Sequence, residues 1–121
     1  MLIAPFGASC VLLFGFPETP LSQPVNTIFG HMVATAIALG LRTVLPGEWW
    51  AIGIAVGLTI LVMAALRISH PPAGADPVVV FLTDPGFGFL VTPVLVGAVT
   101  LATIAVLFHR LPPRAQYPLG D

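Results

Sequence analysis

The stretch Arg67-Ile68-Ser69-His70-Pro71-Pro72-Ala73-Gly74-Ala75-Asp76-Pro77 decides how this chain is read. Four polar side chains and three prolines stand there between two apolar segments. The prolines forbid a continuous helix and push their predecessors into extended backbone. Upstream, Trp49–Leu66 is apolar throughout, with two tryptophans at its entry and Arg67 at its exit, the pattern of a membrane span. Downstream, Val78–Thr83 is too short to cross a bilayer, which takes about 20 helical residues.

The rest of the chain agrees with a membrane setting. Of 121 residues, 57% are hydrophobic and 7% charged, with four Arg, no Lys and five acids. Mean hydropathy is +1.02. So few charges cannot cover the surface of a small water-soluble globule. Net charge is −1 with no basic run, which excludes a nucleic-acid footprint. Disorder is excluded by the apolar content. Cys10 is a single thiol in an apolar stretch and reads as a packing residue.

One domain is expected over residues 1–121, with spans at about 25–45, 48–67 and 87–109 and short helices at about 9–16 and 77–83. The two short pieces match each other. At a constant offset of 67, Ala4-Pro5-Phe6-Gly7-Ala8-Ser9 aligns with Pro71-Pro72-Ala73-Gly74-Ala75-Asp76, and Gly30 aligns with Gly97. Short interrupted apolar segments in matching positions point to broken or re-entrant helices. The expected fold is an all-α membrane protein: a small transmembrane bundle with two such short helices in a pseudo-repeat. The second unit follows a full span and the first does not, so a span preceding residue 1 is expected. With three crossings, Arg42, Arg110 and Arg114 fall on one side, the cytoplasm by the positive-inside rule, and Arg67 on the other.

Ser9 and Asp76 read as N-caps, with Pro77 at the first helical position. Two helix N-termini, at Gly7-Ala8-Ser9 and Gly74-Ala75-Asp76, would then offer free N–H groups to an anion. Arg67 would attract it and a protonatable His70 would donate to it, with His31 alongside and Pro5, Pro71 and Pro72 holding the breaks open. Plainer roles compete: Arg67 snorkelling to headgroups, His70 bonded to backbone, Asp76 as a cap alone, His31 in an interhelical hydrogen bond. Gly53-x-x-x-Gly57, Gly30-x-x-x-Ala34-x-x-x-Ala38 and Ala98-x-x-x-Ala102 suit close helix packing, within the chain or in a homo-oligomer. Glu18, Glu48, Asp84 and Asp121 read as loop charges. Enzyme motifs, metal spacings and cofactor motifs are lacking, so neither an enzyme, a metal nor a cofactor is expected.

At these motifs the chain resembles the HPP family of small integral membrane proteins, named for the element here written His70-Pro71-Pro72. Ala4-Pro5-Phe6-Gly7-Ala8-Ser9, Val11–Gly15, Pro20–Pro24 and Gly30-His31 extend the likeness over nearly the whole chain. The resemblance implies four transmembrane helices and, from characterised relatives, nitrite transport across plastid and cyanobacterial membranes. The function expected is a transporter or channel for a small anion, nitrite by resemblance, in a bacterial inner membrane. The alternative is a non-transporting membrane subunit packed through its small-residue faces.

Overall fold

The computed structural model describes residues 3–120; Asp121, expected in a loop, lies outside them. Every regular element among the described residues is helical: α1 (Ala4–Gly15), α2 (Pro24–Arg42), α3 (Trp49–Ala65), α4 (Asp76–Thr83) and α5 (Val96–Phe108). Short 3-10 turns at Pro20–Ser22, Pro71–Ala75 and Phe87–Leu90 link them. Pro24–Arg42 and Phe87–Phe108 are long and apolar enough to cross a membrane, while Trp49–Ala65 has 17 residues, near the lower limit for a span.

α2 is the spine. Its buried positions Thr27, Gly30, His31, Ala34, Thr35, Ala38 and Leu39 recur at three- and four-residue spacing and form one face. That face takes α3 through Ala51 and Ala55, α4 through Val80 and Phe81, and Met63 near Ala34. α5 presents the small stripe Ala98, Ala102 and Ala105 to Phe6 and Leu13 of α1. Gly53 and Gly57 are exposed and do not pack within the single chain; the buried stripe of α3 is Ala51, Ala55, Thr59 and Met63.

Three sequence expectations are corrected here. The first short helix starts at Ala4, after an extended Ile3, with Pro5 in its first turn. Pro5 therefore opens the helix, and one glycine at Gly7 costs only about 1 kcal/mol, too little to break it. Ser9 is mid-helix and caps nothing. Likewise Asp76 is the first residue of α4, with no side-chain cap, because the Pro71–Ala75 turn runs straight into it.

The third correction concerns sides. α3 ends where Arg67 takes φ 58°, with Arg67 N–H donating to the Ala64 carbonyl and Ile68 N–H to the Met63 carbonyl. This is the left-handed turn that commonly ends helices. The chain then re-enters and α4 continues to the far end, where Asp84 stands 3.4 Å from Arg42. The Pro71–Ala75 turn and α4 thus carry the chain from the Arg67 end of the bundle to the Arg42 end. The tail meets the opposite end of α2: Tyr117 hydroxyl donates to the Ser22 carbonyl at 2.8 Å. Arg67, Arg110 and Arg114 therefore share one end of the bundle and Arg42 lies at the other.

Candidate functional site

Four side chains from three distant parts of the chain meet inside the bundle. Ser9 from α1, His31 from α2, His70 from the proline loop and Asp76 from α4 are all fully buried. Ser9 Oγ lies 2.8 Å from Nε2 of His31 and 2.8 Å from Nε2 of His70. His31 Nδ1 is 2.8 Å from Asp76 Oδ2, and Thr35 hydroxyl donates to the same oxygen at 3.2 Å. His70 Nδ1–H donates to the Leu21 carbonyl at 2.8 Å. The imidazoles of His31 and His70 pack edge-on at 5.0 Å, and Phe6 meets His31 in the same way at 5.0 Å.

Local sequence explains each placement. Pro71 holds His70 in extended backbone (φ −137°, ψ 98°), which turns its ring inward. Asn26 steadies that loop by donating to the Ser69 carbonyl at 3.0 Å. Gly30 lets the loop approach α2, since a Cβ there would stand 2.8 Å from the His70 Cβ. His31 and Thr35 sit one helical turn apart, so both reach Asp76.

Of the residues singled out from sequence, Ser9, His31, His70 and Asp76 are brought together. Arg67 is exposed and its guanidinium joins no side-chain hydrogen bond or ion pair among the described residues, because its helix-ending conformation turns it outward. Gly7, Ala8 and Ala75 are exposed and Gly74 is half-buried; α1 begins at Ala4, so Gly7-Ala8-Ser9 lies within the helix and offers no free helix N-terminus. Pro5 and Pro72 are buried and Pro71 is exposed. Thr35 was missed; its one signal was the four-residue step from His31.

Directly outside the cluster, an open apolar groove of about 620 Å³ is lined by Ala4, Pro5, Ala8, Pro71, Pro72 and Ala75. These six form three pairs at the same offset of 67, and Val11 and Leu12 complete the lining without such partners. The order Asp76–His31–Ser9 has the connectivity of a hydrolytic relay. Here, however, the hydroxyl is enclosed and has a second imidazole where a substrate carbonyl would stand.

A separate polar cluster fastens the tail. His109 Nε2–H donates to the Leu13 carbonyl at 2.7 Å, and His109 packs 5.2 Å from Tyr117. Burial pushes the Tyr117 phenol up to about 12, so it stays a hydrogen-bond donor to Ser22 at ordinary pH.

An apolar helical bundle whose polar side chains are gathered inside defines an integral membrane protein. Within that class, residues 1–118 match the family model for the HPP transmembrane region, and the chain belongs to that family. Two transmembrane proteins of Dictyostelium discoideum are 32% and 31% identical over 98% of the chain. The chain covers 45% and 40% of these relatives, less than half their length. No solved structure matches.

Proposed function

We propose that the chain moves a small anion across a membrane, with the Ser9–His31–His70–Asp76 cluster as the centre of the pathway. The observation that carries this reading is the buried cluster itself, lying where the two proline-led helices abut and beneath an open groove. Intramembrane titratable groups are costly and are kept where an ion or proton passes. Nitrite is the substrate the family resemblance suggests, and a bacterial cell membrane is the setting it suggests. The absence of a fixed cation at the cluster suits transport, since a permanent charge would hold an anion too tightly to release it.

The test is nitrite flux into proteoliposomes made with the full natural chain, with nitrate and chloride as competitors. Saturable flux above protein-free vesicles, abolished in His70→Ala and retained in Arg67→Ala, is expected. No flux would overturn the reading in favour of a non-transporting membrane subunit.

A further inference from the structure

A hydroxyl has one proton to give, and this fixes the proton inventory of the buried cluster. Ser9 Oγ is 2.8 Å from two ring nitrogens, Nε2 of His31 and Nε2 of His70, and can donate to only one. The other nitrogen must donate to Ser9, because two lone pairs at that separation repel. His70 Nδ1 faces the Leu21 carbonyl, which only accepts, so Nδ1 is protonated. A proton also lies between His31 Nδ1 and Asp76 Oδ2. The cluster therefore holds one proton more than an ionised Asp76 with two neutral imidazoles would. Its net charge is zero, the state a dry interior tolerates best.

We propose that Ser9 is the centre of a proton relay that passes this one extra proton between His31 and His70. In the first arrangement His31 Nε2–H donates to Ser9, and Ser9 O–H donates to His70 Nε2. Transfer breaks the N–H bond at His31 and the O–H bond at Ser9. It forms a new O–H bond at Ser9 and an N–H bond at His70 Nε2. Nothing is consumed. Both hydrogen bonds survive with their directions reversed, so both arrangements are fully satisfied along the chain.

Asp76 holds the charge at the His31 end, and Thr35 is its positioning residue. Asp76 Oδ1 is buried with no partner among the described residues. Among the described residues no further titratable side chain enters the cluster's hydrogen bonds from α1, α2, α4 or the Pro71–Ala75 turn. The purpose of the relay rests on the transport reading. An anion drawn to the His70 end favours the proton there by reciprocal coupling; a proton released with the anion on one side leaves the cluster one proton short, and the next is taken up with the next anion from the other side, so that one proton accompanies each anion.

Two measurements test it. Nitrogen-15 magnetic resonance of the three labelled histidines in bilayers reads the inventory directly. His70 protonated at Nδ1, with a proton on Nε2 of one ring, is expected. In Asp76→Asn the amide donates to His31 Nδ1 and to the Thr35 hydroxyl oxygen, so the cluster is held together with both rings neutral. Bare Nε2 atoms on both His31 and His70 of the unmodified protein would overturn the proposal. In vesicles holding a pH-sensitive dye, nitrite entry should carry protons inward, and Ser9→Ala and Asp76→Asn should reduce that proton movement to the protein-free background. Nitrite flux without protons would overturn the relay and leave transport standing. The expected inventory without nitrite flux would support the relay and remove the transport reading.

Discussion

Gly30 shows how little room the cluster leaves. A methyl added there would meet the His70 Cβ at 2.8 Å and the Ile68 carbonyl at 3.4 Å. His70 cannot retreat, since both ring nitrogens are tethered to Leu21 and Ser9. Gly30→Ala should therefore cost about 1–3 kcal/mol, as overpacked interiors do. Gly57 is the control: it is also mid-helix, but nothing stands within 4 Å of an added Cβ. Gly57→Ala should stabilise by about 0.5–1 kcal/mol, because alanine loses less backbone entropy on folding. Thermal unfolding in detergent checks the pair, and equal shifts would mean that the loop does not pack on α2 as described. At this scale the sequence was informative about identity. Ser9, His31, His70 and Asp76 stand out as polar residues in apolar surroundings. Their roles were less legible, because hydrogen bonds spanning 22, 45 and 61 residues leave no local trace.

Arg67 illustrates what an element boundary does to a side chain. It follows Ile60-Leu61-Val62-Met63-Ala64-Ala65-Leu66 and precedes the proline cluster, so its charge invites a substrate role. Its backbone instead closes α3 at φ 58°, a conformation that costs a non-glycine residue roughly 1 kcal/mol and costs glycine almost nothing. Arg67→Gly should raise the unfolding temperature and leave nitrite flux intact. Flux lost in a well-folded Arg67→Gly protein would return the guanidinium to the pathway. The same reasoning explains the misplaced start of α1. Proline marks a helix opening as readily as a break, and only the packing of Phe6 and Leu13 decides that Gly7 lies inside the helix.

Across the whole molecule, the return of residues 68–83 to the Arg42 end sets which charges share a side. Hydropathy finds α2, α3 and the Phe87–Phe108 segment but overlooks residues 68–83, where polar groups and prolines interrupt the apolar run. That stretch is nevertheless long enough. Three extended residues, a five-residue 3-10 turn and the eight residues of α4 add up to roughly 30 Å, the thickness of a hydrocarbon core. Counting it as a crossing moves Arg67 to the side of Arg110 and Arg114 and isolates Arg42 beside Asp84. The positive-inside rule then predicts that the three-arginine end faces the cytoplasm. In a Cys10→Ser background, a membrane-impermeant maleimide added to right-side-out vesicles should label Arg42→Cys at once and Arg114→Cys only after permeabilisation. Labelling of both from the outside would mean that α4 turns back before the far end. The Arg42–Asp84 contact would then be lost, and the two halves of the His70–Asp76 segment would open to the same aqueous space, leaving the relay with no second side to serve.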